Sequence, residues 1–546
     1  MHKKKWLGVF TVIVMTTVLA LAGCSSNNAE NNIGNKNSTE SGEVGSNEQS
    51  NFNKEGYPIV KEKVTFQLVG PKQEGIAKEY NDMIMFKQLE EETNVHIEWS
   101  MTENSTWNEK KNLLFAGNDL PDAFYGGSAL TTNEVVQYGS QGILIPLEEL
   151  IEEYAPNLKR VFEQRPHYKE AITAPDGHIY SLPNIVENDS FLNSDTIYIN
   201  KEWLDQVGMK VPETTDEFYQ VLKAFKENDP NGNGKSDEIP LSFDYLHVNH
   251  GMYSLSGSFG VLDNPGTHTY LENEKVIFAP VQPGYREFLE YFHKLYREGL
   301  IDQEVFTQDE QVYFAKIKNK ELGVKIIWNN VINFGDITQS PYSAIPPLAG
   351  PDGTRLWNVN RGQGINSFAS FAITSEAERP EILMRWIDRQ YEPDMSWQMH
   401  SGPFGHNLIL SDNGKYDRAN SPEGLSNNQF RHSEAPGNFG VWAVLGESNR
   451  LNMPAGMKEK HEAAQVYKPY LAKQENLYPD IIYNVEDVSR LKVLKTDIHQ
   501  YIETAVPQFI IDGVTDSNWD TYINSLNKMG LQELIDIYQE NYDNLD

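Results

Sequence analysis

From Val64 onward, stretches of period two alternate with stretches of period near 3.6, and this limits the fold more than any other feature of the chain. Val64-Thr65-Phe66-Gln67-Leu68-Val69 is β-rich and alternating, which predicts a strand. Lys78–Thr93 predicts an amphipathic helix, Val95-His96-Ile97-Glu98-Trp99 a second strand, and Trp107–Ala116 a second helix. Leu120-Pro121-Asp122-Ala123-Phe124-Tyr125 predicts a short strand running into a loop marked by Gly126 and Gly127. Strands alternating with helices at this spacing predict a parallel α/β sheet. The middle of the chain repeats the grammar with longer helices. Glu217–Asn228 is helical with Thr214 or Thr215 as its N-cap, and Gly284–Glu298 is helical and stopped by Gly299. Leu322–Ile327 predicts a buried strand, Glu378–Gln390 a helix with Trp386 inward, and Thr515–Asn544 two amphipathic helices.

A chain of 546 residues is too long for one hydrophobic core, so more than one lobe is expected. Its formal charge is −32, which argues against nucleic-acid binding. The start holds most of the positional information. Lys3, Lys4 and Lys5 precede an apolar run from Trp6 to Ala22, the pattern of a secretory signal. The run is short for a membrane span, which needs about 20 residues. Cys24 is the single cysteine, so it has no internal disulfide partner. Leu21-Ala22-Gly23-Cys24 resembles a bacterial lipobox, which implies cleavage before Cys24 and a lipid anchor on its sulfur. Acyl chains bind a membrane by about 0.8 kcal/mol per buried methylene. Residues 24–55 are rich in Asn, Ser, Gly and Glu and are expected to form a flexible tether reaching roughly 30 Å.

Asp229-Pro230-Asn231-Gly232-Asn233-Gly234-Lys235-Ser236-Asp237-Glu238-Ile239-Pro240 is the most specific motif beyond the leader. Oxygen side chains fall at positions 1, 3, 5 and 9 of an EF-hand-like calcium loop, with Gly234 at the sharp turn of position 6. Lys235 at position 7 would offer its backbone carbonyl. Pro240 stands where a bidentate Glu belongs, and Glu238 is the natural substitute. The site is read as structural calcium. The competing reading is a surface turn, which Asn, Gly and Asp form unaided.

Catalytic motifs are missing: H-E-x-x-H, G-x-S-x-G, P-loop and G-x-G-x-x-G do not occur. His247 and His250 alone make a weak zinc signal. Several stretches together carry a resemblance. They are Gly142–Ile151 with Tyr154-Ala155-Pro156-Asn157, Asp176–Pro183, Tyr198–Leu204, the 229–240 loop, Asn518–Tyr522 and Ile537–Asp543. In this order they resemble the extracellular sugar-binding lipoproteins of ABC importers in Gram-positive bacteria, the lipoprotein LplA type, similar to the alginate-oligosaccharide binders.

The resemblance implies an α/β, periplasmic-binding-protein-like fold: two α/β lobes joined by a hinge, with the ligand cleft between them. The expected division is leader 1–23, tether 24–55, first lobe 56–185, second lobe 186–330, a return to the first lobe over 331–390, and second lobe with C-terminal helices over 391–546. The resemblance also carries the calcium ligands onto Asp229, Asn231, Asn233, Lys235, Asp237 and Glu238. The expected partners are an oligosaccharide, the transmembrane subunits of an ABC transporter, and the membrane through the lipid anchor, with no nucleic acid. The protein is expected as a monomer on the outer face of the cell membrane. Ligands of open α/β sheets bind beyond the carboxyl ends of strands. Asp122, Tyr125, Trp328, Trp357, Arg361, Trp397 and Trp442 are therefore the candidate ligand contacts, since sugar rings suit amphipathic aromatics. The alternatives are a calcium-stabilised surface carbohydrate-active enzyme and a peptide-binding lipoprotein of the same architecture.

Overall fold

The computed structural model describes residues 51–117, 119–188, 192–193, 195–245, 251–330, 339–359, 364–446 and 450–545. The leader, Cys24, His247, His250 and Arg361 lie outside the described residues. Along the chain come β1 (Val64–Lys72), β2 (Val95–Glu103), β3 (Ala123–Tyr125) and β4 (Leu182–Val186). Next are β5 (Thr196–Asn200), β6 (Ile239–Ser242), the hairpin β7 (Thr269–Glu272) and β8 (Lys275–Phe278), β9 (Leu322–Ile327) and β10 (Tyr342–Ala344). The last are β11 (Ile365–Ile373), the hairpin β12 (Leu408–Leu410) and β13 (Tyr416–Arg418), and β14 (Ala443–Val444).

Two main sheets result, one ordered β14-β4-β11-β3-β1-β2 and the other β10-β5-β9-β6. β1 and β2 pair in parallel from Val64 opposite Val95 to Lys72 opposite Glu103, as their alternating sequence predicts. β3 is parallel to β1 and β14 to β4, while β11 runs antiparallel between β3 and β4. In the second sheet β6, β9 and the edge strand β10 run one way, and β5 runs against them between β9 and β10. Each sheet has its own core. Leu68, Leu182, Ile373 and Trp386 belong to the first, and Ile197, Leu241, Val324 and Phe288 to the second. Two cores in one chain are two lobes.

Three crossings join the lobes: Val186 to Thr196, Ala344 to Ile365, and Val444 to the helix Ala455–Tyr467, whose Tyr467 packs in the second core. Two expected boundaries shift accordingly. Residues 342–344 do not return to the first lobe, because β10 completes the second sheet. Nor does the chain leave the first lobe at 391. Trp397, Met399, Trp442 and Val444 lie in the first core, because β14 is needed to cover the edge of β4. The tether also ends sooner than residue 55. The Asn51 side chain donates to Glu62 O at 3.0 Å and accepts from Glu62 N at 2.6 Å, and Phe52 lies edge-on to Tyr154.

The helices follow the pattern with local corrections. The first is broken: Met83 is extended, a 3-10 turn spans Tyr80–Asp82, and the α-helix proper is Ile84–Thr93. Glu434 explains the break, because its carboxylate accepts from Ile84 N and its carbonyl from Met85 N. A helix that finds its first-turn acceptors on a distant segment needs no local continuation. The helix Thr215–Glu227 is capped by the Thr214 hydroxyl. The helix Pro283–Arg297 ends before Gly299, whose φ is +66°. Among the described residues no helix is long and apolar enough to cross a membrane.

Candidate functional site

The carboxyl ends of β1, β3 and β4 converge with the segment 427–442. Close backbone approach fixes this convergence. A Cβ on Gly70 would lie 1.7 Å from the Tyr125 carbonyl oxygen, and one on Gly127 2.3 Å from that of Asn438. Only glycine allows such contact. Asn184, buried on β4, donates to Gly440 O at 3.2 Å and leaves its own Oδ1 without a partner. Beside it Trp442 donates its indole N–H to Gly437 O at 2.9 Å. The His400 ring stands edge-on to Trp442 at 4.6 Å and to Trp397 at 6.1 Å. Arg431 reaches Asn438 Oδ1 at 2.8 Å and Asn428 Oδ1 at 3.1 Å. Burial and the neighbouring cations Arg431 and Arg418 hold His400 well below the usual histidine range. His432 is pushed down to about 3 by burial and Arg431. Both rings are therefore neutral hydrogen-bonding groups at pH 7.

The second sheet presents its own carboxyl edge. Trp328 directly follows β9 and is half-buried, with the Lys460 ammonium 5.7 Å from its ring. Lys460 also donates to Asn193 O at 3.2 Å. The crossings between the lobes are tied to one another. Trp357 Nε1 donates to Asp195 at 3.1 Å, linking the second crossing to the first. The Glu187 carboxylate takes Arg165 Nε at 2.7 Å and Gly446 N at 2.9 Å, linking the first to the third.

The structure sorts the candidate ligand contacts. Trp397 and Trp442 come together with His400 but are themselves buried in the first core, whereas half-buried Trp328 stands at the carboxyl end of β9. Asp122 sits at the opposite, amino end of β3, where its carboxylate accepts from Gln67 N at 2.7 Å. Tyr125 points into the first core, packs against Trp99 and donates to Gln390 Oε1 at 2.8 Å. Trp357 is fully buried in the second core. Arg361 lies outside the described residues. His400, Arg418, Arg431, Asn184 and Asn438 were not singled out by sequence. His400, Arg418, Arg431 and Asn438 share one sequence signal, position in a Gly- and Asn-rich stretch between two tryptophans, and Asn184 carries none.

The 229–240 segment is wound as a tight loop. Asp229 accepts from Asn233 N at 3.1 Å and Gly234 N at 2.9 Å, while Asn231 and Asn233 amides donate to Asp237 Oδ1 at 3.2 and 2.9 Å. Those two amides hold Asp237 below the usual carboxylate range. Glu238 is pushed up by burial and by the charges of Asp229 and Asp237, and its Oε1 is buried without a partner. Among the described residues no group of three or more His, Cys, Asp or Glu stands ready to hold a metal ion. Here, however, part of the oxygen set is amide and carbonyl. An orphaned carboxylate oxygen facing two further carboxylates, with Asn oxygens alongside, fits a hard oxygen-seeking cation.

The fold and these sheet-edge sites define a two-lobed extracellular binder, and the chain belongs to the bacterial extracellular solute-binding protein family, which matches residues 71–388. A relative from Streptococcus pneumoniae, the fructooligosaccharide ABC transporter substrate-binding protein FusA, is 34% identical over 89% of this chain and 91% of its own length. Its structure in complex with kestose superposes with a TM-score of 0.77 at 32% identity, covering 88% of this chain and 99% of that one. A structure of a FusA EF-hand mutant with fructo-nystose superposes equally well, with TM-score 0.77 and the same coverage. Alginate-binding AlgQ2, 22% identical, shares the fold with a TM-score of 0.68 over 90% of this chain and 100% of its own.

Proposed function

We propose that this protein is the substrate-binding component of an ABC importer. It captures an oligosaccharide outside the cell, closes its two lobes over it, and presents the closed form to the transporter's membrane subunits. The observation that supports this most is the near-complete match to FusA, which covers 89% of this chain in sequence and 88% in structure. Ligand contacts on both lobes stabilise the closed state, so sugar binding shifts the hinge equilibrium. On the first lobe half-buried His400 lies beside amide groups at the carboxyl edge, backed by the buried rings of Trp397 and Trp442. On the second, half-buried Trp328 stands at the carboxyl end of β9. This combination suits a sugar ring with its hydroxyl rim.

Calcium is the cation we assign to the 229–240 loop. Asp229, Asn231, Asn233, Asp237 and Glu238 would hold it with the Lys235 carbonyl. It would neutralise the carboxylates that now repel one another, which is a structural role. The lipid on Cys24 is assigned as the membrane anchor of a monomeric binder on the outer face of the membrane. A thermal-shift screen against kestose, other oligosaccharides and peptides tests the function. A ligand at 100 times its dissociation constant should add about 2.7 kcal/mol. A response to peptides with none to glycans overturns the substrate class. Cleavage of a glycan on long incubation overturns the transport reading.

A further inference from the structure

The third crossing ends in a helix that reaches back to the other two. In the helix Ala455–Tyr467, Met457 and Lys460 stand three residues apart, on one face. That face meets the carboxyl end of β9. Met457 Sδ accepts from Asn329 Nδ2 at 3.9 Å, and the Lys460 ammonium lies over the Trp328 ring, 5.7 Å from its centre. Strand register brings the first crossing to the same place. Thr196, the first residue of β5, is opposite Ile327, the last of β9, so Asn193 and Trp328 flank one end of the sheet. Lys460 Nζ donates to Asn193 O at 3.2 Å and to Thr196 Oγ1 at 3.5 Å. The Asn193 amide in turn donates to Asp195 O at 2.6 Å, the carbonyl that also receives the Trp357 indole N–H of the second crossing.

Lys460 is fully buried, whereas Trp328 is half-buried. The ring face under the ammonium is therefore the inner one. Burying an ammonium is costly, and a methionine of similar length would fill the same space. What the charge adds is direction. The ammonium hydrogens serve two oxygens at the exit of the first crossing and the negative face of the indole. A ring that turned would bring its positive edge toward the charge. Away from water that preference is stronger than at an exposed site.

We infer that Lys460 is a positioning residue: it holds the Trp328 ring in one plane at the sheet edge and fixes that plane to the exit of the first crossing. The inference rests on the oligosaccharide reading above, in which Trp328 is the second lobe's platform for a sugar ring. A ring already held in its bound plane loses less freedom when a sugar packs on it. Affinity then rises without any contact between Lys460 and the ligand.

Full-length protein labelled with 5-fluorotryptophan tests this by fluorine NMR. The chain has ten tryptophans, and Trp328→Phe identifies the line that belongs to Trp328. In the ligand-free protein, Lys460→Met should shift or broaden that line more than any other. Lys460→Gln, which keeps a donor but no charge, is the second variant should the first fold poorly, and melting of each checks folding. Calorimetric titration with kestose, cellotriose and galactotriose follows. The wild type should bind at least one of them, and the folded variant should bind it at least about threefold more weakly. A Trp328 line that stays in place overturns the positioning role and leaves the oligosaccharide reading standing. So do lines that all move alike, the mark of a merely structural loss, and a moved line with sugar affinity reduced by less than about threefold. A wild type that binds none of the three sugars overturns both.

Discussion

Trp357 donates its indole N–H to Asp195, and that bond joins two of the three passages between the lobes. Replacing it with Phe keeps an apolar ring but leaves buried acceptors short of a donor. Urea unfolding should show a loss of about 1–3 kcal/mol. His499 reports on acid stability. Burial, His268 and Lys495 push it down to about 3, whereas in the unfolded chain it titrates at about 6.5. The unfolded state therefore takes the proton first. The contribution is complete above about pH 6.5 and falls as the pH drops toward 3, by about 1.4 kcal/mol per unit. Urea midpoints at pH 6.5 and 5.5 should show this fall, and His499→Gln should reduce it, the remainder coming from the buried His400 and His432. Individual site residues are the least legible level of the sequence. Trp357 and Trp442 look alike in it, each a tryptophan in a polar stretch. One ties two crossings together and the other packs in the first core with its N–H on Gly437 O, because strand register and not local composition decides what each ring meets.

The elements were more legible. β1, β2 and the buried strand Leu322–Ile327 stand where their periodicity puts them, since alternation reflects burial directly. The 28-residue helix Val485–Asp512 was missed, although Leu491, Leu494, Ile498, Ile502, Ala505 and Phe509 repeat at three- and four-residue steps. A proline at 507 and a weakly apolar stripe hid it. Thr214 is the kind of signal that transfers: its hydroxyl accepts from Glu217 N at 3.1 Å. Thr214→Ala should destabilise by about 1 kcal/mol in chemical denaturation. The loop that follows this helix makes a second prediction. If it holds calcium, EGTA should lower the melting midpoint, and Asp229→Ala should lower it in calcium to the chelated value. A midpoint indifferent to EGTA would remove the loop from the list of cation sites.

At the scale of the molecule, more than one lobe followed from length, the α/β class from alternation and the two-lobed form from the family resemblance, but the lobe boundaries did not follow. A strand that enters a sheet 240 residues after its neighbour leaves no local mark. β11 falls within the expected return to the first lobe, whereas β14 lies in a stretch expected in the second. The anchor belongs to this scale as well. Cys24→Ser should move the protein from the cell fraction to the medium, checked by fractionation, with sugar binding unchanged, because no thiol enters either core.

The three crossings also set an order of events during synthesis. β1, β2 and β3 are made within the first 125 residues, yet the neighbours that close their sheet are Ile365–Ile373 and Ala443–Val444. The second lobe's sheet, from Thr196 to Ala344, is complete before either arrives. A growing chain thus holds an unfinished first sheet, with one flank of β3 and both flanks of β4 unpaired, while the second sheet already has all its strands and awaits the C-terminal helices of its core. Contacts this distant in sequence form slowly. The early strands therefore need protection from foreign pairing for most of the time the chain takes to emerge.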